Sequence, residues 1–250
     1  MRVDRALVAA LAVVAAGLAL LTGLAVAVAY AGQGDPLPRP LPEPTAAVPT
    51  AVATVGAAPR AAADPYRPDD TWLASTAAAT GIPARALAAY ARAHLRVAAE
   101  QPGCRVAWNT VAALGGVESR HGTIHDAVLG ADGRSVPAIR GPALDGGTFA
   151  AVPDTDGGLL DGDTRWDRAV GPLQFIPSTW ATWAADGDGD GVADPNQIDD
   201  AALAAGRYLC HSGDLSSAEA WRRAVFSFNH SDAYVADIAG LADSYAQRAR

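Results

Sequence analysis

Ala107-Trp108-Asn109-Thr110-Val111-Ala112-Ala113-Leu114-Gly115-Gly116-Val117-Glu118 places Val111, Leu114, Gly115 and Glu118 at i, i+3, i+4 and i+7, one face of a short helix. Such a face normally points at a core, and the carboxylate that ends it has no evident structural task. Gly122 stands in a C-terminal capping position. Glu118 therefore falls in the last turn, beside carbonyl oxygens that disfavour negative charge. Burial and the helix dipole both push its pKa up. A carboxyl group that keeps its proton near neutral pH suits general acid cleavage of a glycosidic bond. The structural alternative is a Glu at a helix end that reaches back to water.

Two Ala-rich helices are predicted before this one, one near Trp72 to Thr80 ended by Gly81, the other from Pro83 towards Glu100. Residues 123–165 are rich in Gly, Asp and Pro, with short β-compatible runs only at Val136 to Ile139 and Thr148 to Val152. Long loops in compact domains tend to be functional. Helical patterns return at Ser178 to Ala185, Asp200 to Tyr208, Ser217 to Phe228 and from Asp232 onward. The architecture predicted is mainly α with a minor β or loop insertion. Beyond residue 70 only Glu100 and Glu219 accompany Glu118. Glu100 closes a polar helix and Glu219 sits in a first turn, where an acid is ordinary.

The chain reads as three segments. Arg2 and Arg5 precede 26 uncharged, mostly apolar residues, Ala6 to Ala31. That length spans a bilayer and favours an uncleaved anchor at 1–31, with the positive end in the cytoplasm and the remainder outside. Ala29-Tyr30-Ala31 before Gly32 resembles a small-residue cleavage site, so a secreted form stays open. Residues 32–70 hold nine of the 17 prolines and read as an extended spacer. Residues 71–250 are enough for one domain with its own core. They carry 14 Arg against 21 Asp plus Glu, which argues against nucleic acid as a partner. The chain has no Lys, which excludes a P-loop, a Schiff-base enzyme and a Ser-Lys catalyst. Its only cysteines, Cys104 and Cys210, would both lie in an oxidising compartment, where pairing is the default.

Asp186-Gly187-Asp188-Gly189-Asp190-Gly191-Val192-Ala193-Asp194 has the spacing of a calcium loop of the EF-hand kind. Carboxylates stand at positions 1, 3 and 5, Gly at 6, and the Val192 carbonyl at 7. Position 12 departs from the pattern, because Gln197 replaces the bidentate Glu; Asp199 or Asp200 could supply the missing ligand. The structural alternative is a solvated acidic turn. Asp154-Thr155-Asp156-Gly157-Gly158 with Asp161-Gly162-Asp163 is less regular and reads as a set of Asx-turns. Gly171-Pro172-Leu173-Gln174-Phe175-Ile176-Pro177 reads as a tight turn that delivers one amide, Gln174, amid apolar residues. That amide must bond to backbone or to a ligand. His121, beside the acid, reads as a surface histidine or as a group that tunes Glu118.

Four of these segments occur in an order that resembles a known family: Gly116-Val117-Glu118-Ser119-Arg120-His121-Gly122, Gly171 to Ser178, Asp186 to Pro195, and Asn229-His230-Ser231-Asp232-Ala233-Tyr234. Over about residues 71 to 240 the chain is similar to exported lytic murein transglycosylases related to membrane-bound lytic transglycosylase B, in their actinobacterial form. The resemblance implies a lysozyme-like α-rich fold and peptidoglycan glycan strands as substrate. It implies Glu118 as sole acid and base, cutting the bond between N-acetylmuramic acid and N-acetylglucosamine to leave a 1,6-anhydro end. It further implies that Gln174, Asn229 and Tyr234 hold the sugar or support the acid. For the cation it implies structural Ca2+ held by Asp186, Asp188, Asp190, the Val192 carbonyl and Asp200. Two positions depart from the family: Phe228 stands for Tyr, and Leu173 for Met, a volume-conserving change. Two other functions stay open, a muramidase using water with Asp154 or Asp156 as second carboxylate, and a non-catalytic, calcium-stabilised wall-binding module.

Overall fold

The computed structural model describes residues 64–147 and 149–250. The expected anchor at 1–31 and the spacer as far as residue 63 lie outside the described residues. Among the described residues no helix is long and apolar enough to cross a membrane. Residues 64–70, counted with the spacer by their prolines, are joined to the folded body. Asp64 pairs with Arg92 at 2.8 Å, and the Arg96 guanidinium lies 6.0 Å from the Tyr66 ring centroid.

Seven α-helices carry the described chain. α1 (Asp70–Thr80) starts on Asp69, whose carboxylate accepts the Trp72 N–H at 2.9 Å, and ends on Gly81 at φ 77°. α2 (Ala84–Glu100) follows Pro83, and α3 (Trp108–Ser119) carries the glutamate. After the loop region come α4 (Pro177–Trp183), α5 (Ile198–Cys210), α6 (Ala218–Phe228) and α7 (Asp232–Arg248). Ser217 and Ser231 cap the last two with their hydroxyls. α5 begins two residues before its predicted start because the Gln197 side chain serves as its cap.

The β content is small and sits partly elsewhere than predicted. β1 (Val128–Leu129) pairs antiparallel with β2 (Ser135–Val136), and β3 (Arg140–Ala143) with β4 (Arg168–Val170). The run expected at Val136 to Ile139 stops after Val136, since Pro137 has no N–H to give a ladder. The run expected at Thr148 to Val152 forms no strand among its described residues; isolated bridges at Asp145–Ala151 and Pro153–Trp166 hold that loop instead.

α3 packs against α2 and α7, and α2 in turn against α5. Every residue of α3 from Trp108 to Gly115 is buried, so the glutamate is carried on a helix running through the core. Around it lie Tyr90, Leu87, Leu173, Phe175, Leu203, Leu209 and Ile238, all nearly inaccessible. Burying each such Leu, Ile or Phe stabilises the fold by about 1.5–3 kcal/mol. Asn109 Nδ2 donates to the Ala242 carbonyl at 3.0 Å, and Trp221 Nε1 to Thr110 Oγ1 at 3.1 Å, satisfying polar groups that this burial would otherwise strand. Cys104 and Cys210 form the predicted disulfide, with Cα atoms 5.3 Å apart, and tie the entry of α3 to the end of α5.

Candidate active site

The local structure of α3 is set by what its glycines admit. Gly115 and Gly116 weaken a helix interior, yet a Cβ on Gly115 would lie 2.0 Å from the Tyr90 hydroxyl. One on Gly116 would lie 2.8 Å from Leu241 and 3.1 Å from the Tyr245 hydroxyl. The pair lets α2 and α7 close on the helix from two sides. The helix ends in three successive left-handed residues, Arg120 (φ 52°), His121 (φ 63°) and Gly122 (φ 82°). The reversal therefore starts at Arg120, two residues before the glycine expected to cap the helix. Two orphan carbonyls are satisfied by it, His121 N donating to Gly115 O at 2.8 Å and Arg120 N to Gly116 O at 3.0 Å.

Glu118 is half-buried, and Tyr234 of α7 donates its hydroxyl to Glu118 Oε1 at 2.5 Å. Burial pushes the Glu118 carboxyl up to about 7, although the Tyr234 hydroxyl pulls the other way. Tyr234 is itself held protonated far above its ordinary range, first by burial and then by the adjacent carboxylate. The acid is thus half protonated near neutrality and has a single hydroxyl fixed on one oxygen.

Ser119 joins this helix to the glutamine turn. Its hydroxyl accepts the Gly122 N–H and donates to the Pro172 carbonyl, each at 2.7 Å. Gln174 adopts a left-handed backbone (φ 49°), and its Nε2 donates to the Gly171 carbonyl at 2.8 Å, a backbone partner, one of the two kinds the sequence left open. A Cβ on Gly141 of β3 would lie 3.0 Å from Gln174 Oε1, so β3 runs along the amide. Asn229 ends α6 as an exposed residue whose side-chain amide has no hydrogen bond among the described residues. The Phe228 ring packs edge-on against Phe175 and Tyr208, with centroids at 5.7 and 5.5 Å.

The acidic loop brings together carboxylate oxygens of Asp186, Asp188 and Asp200 within 4.8 Å of one another. Asp190 is outside that trio; its Oδ1 accepts the Val192 N–H at 2.7 Å, and Val192 is exposed. Asp199 is withheld from the loop, because Arg85 and Arg92 take its two oxygens. Gln197 Oε1 caps α5, while its Nε2 donates to Asp188 Oδ2 at 2.7 Å. Asp200 gathers the Gly187 and Asp194 N–H groups at 2.7 and 2.9 Å. Burial, with the charge of Asp188 adding to it, raises Asp200 to about 6 despite those donors. Two close approaches weld the loop in place: a Cβ on Gly171 would lie 1.9 Å from Pro195 O, and one on Gly187 2.2 Å from Asp199 O.

Asp154 and Asp156, the alternative second carboxylates, are turned into their own loop. Asp154 Oδ1 accepts the N–H groups of Asp156, Gly157 and Gly158, and Asp156 accepts those of Leu159 and Leu160. Their Asx-turns are those predicted. The fully buried Asp167 also approaches them and is bonded to Thr155 through both its N–H and its hydroxyl. Nothing in the sequence marked Asp167, or the burial of Asp161 within its Asx-turn, since an Asp in a polar loop is ordinarily exposed. His121 likewise departs from its expected surface position: it is 8% exposed and bonded to Tyr90 and Tyr245.

The family model described as "Transglycosylase SLT domain" matches residues 163–225. No curated protein matches the chain. Among solved structures, it is similar to SltB3 from Pseudomonas aeruginosa, crystallised in complex with NAG-anhNAM-pentapeptide. The identity is 19%, over 76% of this chain and 70% of that one, with a TM-score of 0.41. Glu118 and Tyr234 lie outside the matched stretch. The stretch that matches, residues 163–225, contains the glutamine turn, the acidic loop and α5.

Proposed function

We propose that the protein is a lytic transglycosylase of lysozyme-like fold, related to the membrane-bound B type, that cleaves the β-1,4 bond between N-acetylmuramic acid and N-acetylglucosamine in peptidoglycan. The observation that carries this reading is Glu118, a carboxyl raised to about 7 by burial on a core helix. Protonated, it delivers its proton to the bridging oxygen as the bond from C1 breaks. Ionised, it takes the proton of the muramyl C6 hydroxyl, whose oxygen bonds to C1. The products are a free 4-hydroxyl and a 1,6-anhydro end, the glutamic acid is regenerated, and no water is consumed. Tyr234 remains a donor throughout, orienting the carboxyl and stabilising its charged form between the two transfers. A hydrolase would need a second carboxylate to act through water, and Asp154 and Asp156 are occupied by five backbone N–H groups. Gln174 and Asn229 are assigned to the sugar. The exposed side-chain amide of Asn229, which has no hydrogen bond among the described residues, supports its part.

The trio Asp186, Asp188 and Asp200 suits a hard divalent cation with oxygen ligands, and Ca2+ bound there would supply charge neutralisation and stability, not chemistry. Asp190 and the Val192 carbonyl complete the proposed ligand set. An oxidising compartment suits the Cys104–Cys210 bridge and supports export; the segment 1–31 would hold the protein to the membrane, or release it if cut.

The deciding experiment is mass analysis of peptidoglycan digested by the purified protein. Anhydro-muropeptides that vanish with Glu118→Gln are expected. Products heavier by one water would establish hydrolysis, and binding without turnover a non-catalytic module.

A further inference from the structure

Beneath the acid lies a buried polar bridge that the reaction does not use. His121 Nε2 is 2.9 Å from the Tyr245 hydroxyl and Nδ1 is 3.2 Å from the Tyr90 hydroxyl. One tyrosine belongs to α2 and the other to α7, while His121 stands in the left-handed turn directly after α3. Burial lowers the imidazole to about 4, so it is neutral at ordinary pH. A neutral imidazole donates from one nitrogen and accepts on the other, and tyrosine hydroxyls answer either role. The ionisable groups facing it are those two tyrosines, with Arg248 acting on Tyr245 through its charge. The glycines at 115 and 116 leave room for this arrangement, since a Cβ on Gly116 would lie 3.3 Å from His121 Cε1.

The same two elements meet again at the acid. Tyr234 and Tyr245 are eleven residues apart on α7, three helical turns, and so share one face. Glu118 and His121 are three residues apart across the end of α3. The first tyrosine holds the glutamate and the second holds the histidine. Displacing α7 from His121 must therefore displace Tyr234 from Glu118.

We propose that His121 is a positioning residue for the acid: by bridging Tyr90 and Tyr245 it fixes α7 against the end of α3 and keeps the Tyr234 hydroxyl on Glu118. This rests on Glu118 as the general acid. A bland alternative is that the bridge merely satisfies three buried polar groups and contributes to stability alone.

Three variants separate the two, each assayed for release of anhydro-muropeptides across pH. His121→Phe keeps a ring and removes both nitrogens, and His121→Gln keeps a donor and an acceptor. Tyr245→Phe deletes only one hydroxyl and decides the matter if His121→Phe does not fold. We expect His121→Phe to lower kcat about 3- to 10-fold with little change in KM, up to the fold-change of one lost hydrogen bond to a charged group. The alkaline limb of the profile should move to higher pH, because the hydroxyl that pulls Glu118 down is loosened. His121→Gln should restore much of both, and Tyr245→Phe should shift the limb in the same direction. In a Tyr234→Phe background, His121→Phe should produce no further shift. An unmoved limb in a folded His121→Phe protein, or in Tyr245→Phe if the former is unfolded, would overturn the proposal, as would a full further shift in the Tyr234→Phe background. Full activity of Glu118→Gln would instead refute the acid itself, a different result.

Discussion

Tyr234 on α7 and Glu118 at the end of α3 are joined by a 2.5 Å hydrogen bond, although 116 residues separate them in the chain. Two opposed influences meet on that carboxyl. Burial favours the protonated acid, and the hydroxyl favours the carboxylate, so the group titrates at about 7 and not higher. In the proposed reaction Glu118 first gives and later takes a proton, and that balance suits both steps, since neither form is much favoured over the other at neutral pH.

Glu118→Gln keeps shape but has no proton to give, so turnover should fall by at least the roughly 10² to 10⁴ of general acid catalysis. Both proton transfers fail together. Asp154→Asn or Asp156→Asn should cost far less. Rates of anhydro-muropeptide release from the three variants check this, and an active Glu118→Gln protein beside a dead Asp154 variant would reverse the assignment.

The same carboxyl links stability to pH. Its folded pKa of about 7 lies above the ordinary value of 4.5, so between these the folded state holds a proton that the unfolded chain has lost. Stability from this group is present below about pH 4.5 and is lost as pH rises through 7. Wild-type activity should decline over the upper part of that range, where the acid ionises. Thermal melts at pH 5 and pH 8 should differ less in Glu118→Gln than in the wild type.

Tyr234→Phe deletes the opposing donor. The Glu118 pKa should rise, the alkaline limb of the activity profile should shift upward, and the rate at neutral pH should drop about tenfold. A profile identical to that of the wild type would show that the hydroxyl exerts no hold on the acid.

Calcium should raise the melting temperature in a concentration-dependent way, by about 2.7 kcal/mol of stability at a hundredfold excess over Kd. Asp186→Asn should abolish most of this increase while leaving turnover of the folded protein nearly intact. A melting temperature indifferent to calcium and to chelator would leave the loop as an acidic turn.

Gly171→Ala tests the weld between the glutamine turn and the loop. The position combines φ 72° with a Pro195 carbonyl 1.9 Å from the added Cβ. Backbone strain and steric overlap together should cost at least about 2 kcal/mol, read by denaturant unfolding.

The helices were legible in the sequence because their periodicity and stops are local: Gly81 terminates α1 and Pro83 opens α2. Glu118 was legible for a related reason, as a carboxylate that breaks an apolar stripe. The surroundings of His121 were not. Its partners lie 31 and 124 residues away, and a histidine between Arg120 and Gly122 carries no mark of burial. The start of the left-handed turn was missed for the same cause, since tertiary bonds, not a glycine, hold Arg120 and His121 at positive φ. The choice of Asp200 over Asp199 depends on Arg85 and Arg92, which approach from α2 and take Asp199 away.

The disulfide has one more consequence. Its two cysteines bracket the exposed loop around Leu159, which is 82% accessible. A protease that cuts there would leave Glu118 on one fragment and Tyr234 on the other, with Cys104 and Cys210 still holding the two as a single covalent molecule. Such nicked protein would migrate as one species until a reductant is added, and could be damaged in its backbone without being dismantled.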